Sequence, residues 1–389
     1  MLYLFVYIAI TFVFFQSVSQ GRNQRNERQL AFFLMVMALI VGLGDMLGGY
    51  DRYVYCDLFD GTADDVMAGR NPFSKDAFIM GYSSEMSYVV LNVIIAHVTA
   101  NRYIFILLLT IFVYVMLYLS MKDYLENYPF GLLMFSALYF FFTFTYLRQV
   151  CATCFAWFSF RYVLKRKLLP YLICWFIAYK FHNSAIIFLP MYFIPLKKYS
   201  KKTIIYVMIA LLLIGTTGIS ASLYSMYGEA AGTAQRTEQY AEDPYSFRFD
   251  YVMEVIVFLY LILSRYKEIP EDTKHIVFLN ASLCFCAILL FFVTSSNAGR
   301  QSWYYMIGII YTISYIVTRK KGINNYVLYV YALMTLLFLR IDYYWDYLIN
   351  PYKTFLTDGH RQNDRTFYRC EYDQQYDKDK FYRPVLYLK

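Results

Sequence analysis

The chain has 389 residues, of which 59% are hydrophobic, 21% aromatic and only 16% charged. Soluble globular proteins carry about 25% charged residues, so this composition excludes an ordinary soluble enzyme. The formal net charge of +8 comes mostly from short loops between apolar runs, so it indicates membrane topology and not nucleic-acid binding.

Apolar runs recur along the whole chain. Each is about 15–20 residues long and can cross, or nearly cross, a bilayer core of about 30 Å. The first run, Leu2–Ser19, has no basic segment before it and no small-residue cleavage site after it, so we expect a retained helix and not a signal peptide. We therefore predict an all-α polytopic integral membrane protein, with one membrane domain over residues 1–341 and a charged tail over 342–389.

The charges of the loops predict the topology of the chain. The connections Tyr50–Glu85 and Ser220–Asp250 carry seven Asp/Glu against three Arg/Lys and five against two, so both are predicted to be external. Four basic loops are predicted to be cytoplasmic by the positive-inside bias: Gly21–Gln29, Lys165–Lys167, Lys197–Lys202 and Arg319–Lys321.

An odd number of crossings must connect the acidic Tyr50–Glu85 region to the basic Lys165 loop. Four apolar segments lie between them, at 86–98, 103–120, 129–147 and 149–164. Segment 86–98 is the shortest and is interrupted by Asn92, so we predict that it is a re-entrant or interfacial helix. Lys122 is then cytoplasmic, and the pair Arg148–Gln149 lies at the outer end of two helices.

The second half of the chain continues this pattern. Leu168–Pro195 is predicted to form two short passes whose outer turn is Tyr179–Ala185. We predict about twelve helices in total, with both termini and the segment Asn297–Tyr305 external. The later spans are predicted near 203–219, 250–264, 275–294, 301–318 and 325–341.

This topology places a set of polar residues on the external side. Ionisable residues at membrane depth usually face a cavity or a partner, and several arginines in one cavity would suit a phosphate or diphosphate. Individual members have simpler explanations: Arg148 can snorkel to headgroups, His182 can bond a carbonyl, and Glu85 and Asp51 can stabilise helix starts or turns. The set comprises Asp51, Arg52, Glu85, Arg148, Gln149, His182, Arg248 and Arg300.

The cysteines give no metal-binding pattern. Cys151 and Cys154 have the CxxC spacing but no second pair of ligands accompanies them, and they lie in an apolar run. No Asp, Glu and His cluster has metal-ligand spacing either. We therefore expect neither a metal site nor a cofactor.

Several short motifs occur in a fixed order along the chain. They are GGYDRYVY from Gly48, E-x₅-L-N over Glu85–Asn92, LRQ at 147–149, KFHNSAIIFLP at 180–190, GRQSWYY at 299–305 and NPYK at 350–353. Together these motifs resemble the EpsG-like family of Wzy-type bacterial polysaccharide polymerases. The resemblance covers nearly the whole chain, and its most specific parts are the RQ and FHxSA elements. The charged tail after Lys353 is longer than the family's usual ending.

The resemblance implies a membrane-embedded, GT-C-like glycosyltransferase of the bacterial cytoplasmic (inner) membrane. Its expected partners are an undecaprenyl-diphosphate-linked glycan donor and acceptor, membrane lipid and a chain-length regulator protein. Such an enzyme would make a capsule, an exopolysaccharide or an O-antigen. Other classes stay open: a lipid-linked glycan ligase, a flippase or other transporter, and a membrane O-acyltransferase.

The chemistry of glycan transfer gives each candidate residue an expected role. Negative charge develops on the diphosphate leaving group, so preorganised arginines would stabilise it. We assign this role to Arg148 and Arg300, with Arg248 as a third candidate. The acceptor hydroxyl needs a base, and the residues do not distinguish Asp51, Glu85 and His182. The remaining substrate-binding candidates are Arg52, Gln149, and three aromatics that could stack on sugars or belong to interfacial belts: Tyr53, Tyr55 and Trp303.

Overall fold

The computed structural model describes residues 1–19, 24–82, 85–219, 222–223, 247–295, 299–319, 322–361 and 374–387. Every regular element within these ranges is a helix, and a single isolated β-bridge joins Gly44 to Thr354. This architecture confirms the predicted all-helical class. Four described helices are long and apolar enough to cross a membrane: Leu2–Ser19, Arg102–Tyr124, Thr273–Phe291 and Asn325–Ile349.

The chain divides into two compact units. Unit 1 consists of Met1–Phe158, Phe176–His182 and Lys321–Lys389, and unit 2 consists of Ser159–Trp175 and Asn183–Lys320. The first ten helices are α1 Leu2–Ser19, α2 Glu27–Gly42, α3 Tyr50–Met67, α4 Phe78–Tyr82, α5 Met86–Ala96, α6 Arg102–Tyr124, α7 Tyr128–Leu138, α8 Leu147–Leu164, α9 Leu168–Phe181 and α10 Lys201–Thr216. The later α-helices are Phe249–Ser264, Thr273–Phe291, Gly299–Ser302, Met306–Thr318, Asn325–Ile349 and Gln374–Lys378, and 3₁₀ segments occur at Phe140–Phe144, Asn183–Phe193, Tyr266–Glu268 and Trp303–Tyr305.

Unit 1 is built around helices that pack in pairs. Helix α2 packs along α6, α7 packs against α1 and against Asn325–Ile349, and α3 contacts α4, α5 and α6. Nearly all of α7 is buried, from Tyr128 to Leu138. Aromatic rings fill much of this core, for example Tyr3 against Phe141 at 5.7 Å and Tyr7 stacked on Phe338 at 4.3 Å.

In unit 2, the helix Thr273–Phe291 packs against Met306–Thr318, α10 and Phe249–Ser264. Small residues permit the closest approaches. A Cβ atom at Gly308 would lie 2.6 Å from the backbone nitrogen of Ser282, and one at Gly215 would collide with the carbonyl oxygen of Leu290. The hydroxyls of Ser282 and Thr312 also bond across this interface at 3.0 Å. Close packing of small residues with hydroxyl pairs is typical of helices that associate in a membrane.

Several element predictions need correction. The predicted helix 129–147 is two pieces, because α7 ends at Leu138 and a 3₁₀ segment follows at Phe140–Phe144. The hydroxyl of Thr143 donates to the carbonyl of Phe140 at 2.6 Å, which satisfies a backbone group released by the break. The predicted helix 301–318 is likewise interrupted, because a 3₁₀ turn at Trp303–Tyr305 separates the short helix Gly299–Ser302 from Met306–Thr318. The predicted span 325–341 continues to Ile349.

Other segments agree with the predictions in part. Segment 86–98 contains α5, which has only 11 residues, as expected for a helix too short to cross. The chain breaks between α9 and the 3₁₀ segment at His182, inside the predicted outer turn. In contrast, the connection Tyr50–Glu85 contains the 18-residue helix α3, which the list of spans did not include. Part of the predicted external segment Asn297–Tyr305 and most of Ser220–Asp250 lie outside the described residues.

Candidate active site

Arg148 forms a largely buried ion pair with Glu85. Glu85 directly precedes α5, and Arg148 lies in the first turn of α8. Its Nη1 atom is 2.5 Å from Oε2 of Glu85, and the two side chains are 12% and 6% exposed. Glu85 occupies the N-cap position of α5 but makes no capping hydrogen bond there. Its carboxylate pairs with the guanidinium of Arg148 and makes no capping hydrogen bond to the backbone of α5.

Two tyrosines complete the surroundings of the Arg148 guanidinium. Its Nε donates to the hydroxyl of Tyr55 at 3.4 Å, and its central carbon lies 5.7 Å from the centre of that ring. The ring of Tyr82 lies 5.6 Å from the same carbon. Both separations are within the range of a cation–π interaction. The guanidinium is thus held in a fixed orientation by a carboxylate, a hydroxyl and two aromatic faces.

The start of α8 favours an anion next to Arg148. The first turn of an α-helix has backbone N–H groups without intrahelical partners, and the helix dipole is positive at that end. A positively charged side chain there is unfavourable unless an anion is close, and Glu85 supplies that anion. A phosphate or diphosphate at this position would meet both the guanidinium and the helix start, so the local electrostatics suit a phosphorylated substrate.

Helix α3 presents Asp51 and Tyr55 four residues apart, hence on the same face. Gly49 is the N-cap, so Asp51 lies in the first turn of the helix. The preceding glycine is also required, because Gly48 has φ 113° and a Cβ there would lie 2.6 Å from the carbonyl oxygen of Phe144. These glycines explain the GG of the motif and set the start of α3.

Two neighbours of Asp51 are packed into the protein. Arg52 is 1% exposed, and its Nε and Nη2 donate to the carbonyls of Leu47 and Val41 at 2.9 and 3.0 Å. Tyr53 is fully buried. Their substrate-binding roles stay predictions, and in this conformation Arg52 ties the start of α3 to the end of α2. Gln149 is also buried, next to Arg148 on α8.

An apolar groove of about 430 Å³ lies along α5, the helix that follows Glu85. Its lining includes Met86, the residue after Glu85, together with Val90, Phe155 and Lys180. Phe181 closes part of it by stacking on Phe155 with ring centres 5.5 Å apart. His182 follows Phe181, the last residue of α9 and a lining residue of the groove. Its backbone N–H donates to the carbonyl oxygen of Ala178 at 2.9 Å. Lys180 is the only charged lining residue among those described.

Within unit 2, Tyr251 contacts one predicted residue, Arg248, and the backbone next to another, Arg300. Arg248 makes two hydrogen bonds to Asp250, at 3.0 and 2.9 Å, and these bonds raise its pKa above the ordinary value. Its guanidinium lies 4.8 Å from the ring of Tyr251, whose hydroxyl accepts the backbone N–H of Gly299 at 3.1 Å. Arg300 follows Gly299 immediately. Arg248 and the Arg300 segment are therefore linked through one tyrosine, whereas Trp303 is buried.

The family assignment follows from comparison of the sequence with family models. The model described as the EpsG family matches residues 29–354. The chain belongs to the EpsG family. No curated protein and no solved structure gives a significant match. The match includes every motif residue named above, from Gly48 to Lys353, and it confirms the resemblance seen in the sequence.

Beyond the matched EpsG region, the tail returns to unit 1 and supplies buried positive charges. Lys380 is fully buried and its Nζ lies 3.0 Å from Oδ2 of Asp45 and 3.2 Å from the hydroxyl of Tyr103. Lys353 approaches the same carboxylate at 2.9 Å. Asp45 is only 3% exposed, so its charge needs a buried counter-charge. Two lysines from the C-terminal part of the chain supply it.

A second set of charges continues along the other end of α3. Arg102 pairs with Asp60, and its guanidinium lies 4.5 Å from the ring of Tyr376. Arg383 from the tail lies 3.0 Å from the carboxylate of Asp64. The helix that carries Asp51 and Tyr55 is thus fixed to the tail by ion pairs of Arg383 with Asp60 and Asp64, roughly one and a half and two and a half turns beyond Tyr55.

The sequence did not predict these tail contacts or the role of Tyr82. Lys380 and Asp45 are 335 residues apart, and no local pattern connects two positions so distant in the chain. One available signal was the presence of aspartates at 57, 60 and 64 in α3, whose three- and four-residue spacings put them on one face of a helix. A row of carboxylates on one face requires cations from elsewhere.

Proposed function

We propose that this EpsG-family chain is a polysaccharide polymerase, a glycosyltransferase that joins undecaprenyl-diphosphate-linked repeat units. It would act at the external face of the bacterial cytoplasmic membrane, with about twelve helices in a multi-pass GT-C-like arrangement. Its product would be a capsule, an exopolysaccharide or an O-antigen. A chain-length regulator protein is a further proposed partner.

The observation that carries the proposal is the Arg148–Glu85 pair. An arginine fixed by a carboxylate and two tyrosines at a helix start is suited to bind a diphosphate through two parallel hydrogen bonds. The carboxylate of Glu85 holds the position that such an anion would take. When a diphosphate replaces it on Arg148, Glu85 becomes available as an acceptor for a proton close to the leaving group.

The proposed reaction then proceeds by transfer at the anomeric carbon. The acceptor hydroxyl attacks that carbon, the bond from the carbon to the diphosphate oxygen breaks, and the electron pair stays with the diphosphate on its lipid carrier. Arg148 stabilises the charge that develops there, and a base takes the hydroxyl proton. Glu85 is the base candidate bonded directly to Arg148, and Asp51 and His182 are the alternatives. The roles of Arg248 and Arg300 in unit 2 stay predictions.

The groove beside the pair supports a lipid-linked substrate. It is mostly apolar and its lining includes Met86, the residue after Glu85. A polyprenyl chain lying in it with its anionic end towards the start of α5 would bring the diphosphate towards Arg148. Lys180 in the lining would favour the anionic end of such a chain. A soluble nucleotide-sugar donor would gain nothing from this groove, because its carrier has no long apolar chain.

The decisive experiment is deletion of the gene followed by sizing of the surface glycan. Loss of a polymerase leaves single repeat units at the cell surface, loss of a transporter leaves units inside, and loss of a ligase leaves full-length polymer on the lipid carrier. Complementation with Arg148→Lys should fail to restore long chains. The control is Arg70→Lys, an equally conservative change at an exposed arginine. Long chains in the deletion strain would contradict the proposal.

A further inference from the structure

Unit 2 contains a second apolar groove, of about 340 Å³, between α10 and Thr273–Phe291. Gly215 brings the last turn of α10 against the backbone of the other helix, and the groove lies alongside the first two turns. Val207, Leu283 and Ala287 are among its apolar lining residues. Since α10 is exposed on most of its surface, the groove opens towards the surroundings of the helix and is accessible to lipid.

One end of this groove is polar. Asn280 is 3% exposed, and its Nδ2 donates to the carbonyls of Pro195 and Lys197 at 3.0 and 3.4 Å. These two acceptors fix the orientation of the amide, so Oδ1 is the atom left over. That oxygen is buried and has no hydrogen-bond partner among the described residues. An unpartnered buried acceptor is costly, so a hydroxyl donor placed next to it would be favourable. Asn280 is among the residues that line the groove.

Two lysines stand at the same end. Lys197 is exposed, and Asn280 bonds to its backbone. Lys201 lies three residues before Ile204, which lines the groove, so the two share a face of α10. Within the described ranges neither lysine has a carboxylate partner. Lys198, between them in the sequence, does have one, because its Nζ lies 3.8 Å from the carboxylate of Glu271 and also donates to the carbonyl of Ile269. Lys201 also starts the first turn of a 16-residue helix, whose dipole adds positive potential.

We propose that this groove is a binding site for an anionic phospholipid with a hydroxylated headgroup. One acyl chain lies along Val207, Leu283 and Ala287, the phosphate meets Lys197 and Lys201, and a headgroup hydroxyl donates to Asn280. The basic loop Lys197–Lys202 is predicted to be cytoplasmic, and anionic lipid at the inner surface attracts basic residues next to a membrane helix. The site is independent of the proposed polymerase reaction.

The test is lipid retention by the full-length protein, purified and reconstituted in nanodiscs, with labelled phosphatidylglycerol and phosphatidylcholine as probes. Wild type should retain phosphatidylglycerol about tenfold to thirtyfold more strongly, as expected for two lysines near a membrane surface. Lys197→Gln with Lys201→Gln should remove most of this preference and leave only the part that the headgroup hydroxyl contributes, because phosphatidylcholine has no such hydroxyl. Val207→Trp fills the groove at a position that is 47% exposed, so it should lower phosphatidylglycerol retention without affecting folding.

Matched controls test whether the variants act through the groove and not through a general loss of charge or a large side chain anywhere on α10. Lys165→Gln with Lys167→Gln removes the same charge from another exposed basic loop, and Ile209→Trp introduces the same large side chain at a 50% exposed position of α10 outside the groove lining. Both should behave as wild type. Equal retention of the two lipids by wild type would overturn the proposal. So would full displacement of the labelled lipid by inorganic phosphate, or a Val207→Trp variant with unchanged retention.

Discussion

Arg148 and Glu85 come from positions 63 residues apart, yet their side chains meet in an ion pair with only 12% and 6% of their surfaces exposed. Coulombic attraction between such charges is much stronger in a partly dry site than in water. The pair therefore neutralises the guanidinium of Arg148 and fixes its orientation.

The first prediction concerns the shape of the Arg148 side chain. Arg148→Lys keeps the charge and the pairing with Glu85 but loses the planar fork that binds two phosphate oxygens. We expect long-chain polymer to fall about 100-fold, the usual effect of removing one preorganised donor to a developing anion. Membrane abundance should stay near that of wild type. Normal chain length in the lysine variant would show that Arg148 only anchors the helix at the interface.

The second prediction separates the structural and chemical roles of Glu85. Glu85→Gln leaves the buried Arg148 without its counter-charge, which costs about 3–5 kcal/mol of stability when a buried pair is broken. We expect a lower membrane abundance together with loss of polymer. In the double variant Glu85→Gln and Arg148→Gln, abundance should recover because neither charge is left alone. Recovery of polymer as well would remove both residues from the reaction.

The composition and motifs were enough to predict the helical membrane class, the family and the two members of this ion pair. They did not predict that Arg148 and Glu85 contact each other, because the contact depends on how α5 and α8 pack and not on either local sequence. The break after Leu138 was also missed, since Tyr128–Leu147 is uniformly apolar and hydropathy does not distinguish one helix from two. The glycines at 48 and 49 did carry a local signal, and both adopt positive φ.

The third prediction concerns His182, which follows the last residue of α9. Histidine titrates near neutral pH, because its unperturbed pKa is about 6.5, and an amide does not titrate there. If His182 takes part in proton transfer, His182→Asn should reach normal membrane abundance and make almost no polymer. Abundance and glycan chain length must be measured together. A parallel loss of both would indicate a structural role, and near-normal polymer would leave Asp51 and Glu85 as the base candidates.

The fourth prediction concerns topology. If α5 does not cross the membrane, a reporter fused after Lys122 at the end of α6 should be cytoplasmic, and one fused after Gly49 should be external. The 11 residues of α5 span only about 16 Å, roughly half of a bilayer core. An external reporter at Lys122 would mean that α5 crosses, and it would move Arg148 to the cytoplasmic side.

The last prediction concerns the tail, which extends beyond the family match. Lys380→Met keeps the length of the side chain and removes the charge that Asp45 meets at 3.0 Å. Because Lys353 still contacts Asp45, we expect a loss of about 3 kcal/mol, the lower end for a broken buried pair. The purified full-length protein should inactivate at a lower temperature and its tail should be cleaved faster by protease. Lys378→Met is the control, since that lysine is exposed two residues earlier. If both variants match wild type in heat and protease resistance, the buried lysine does not hold the tail on unit 1.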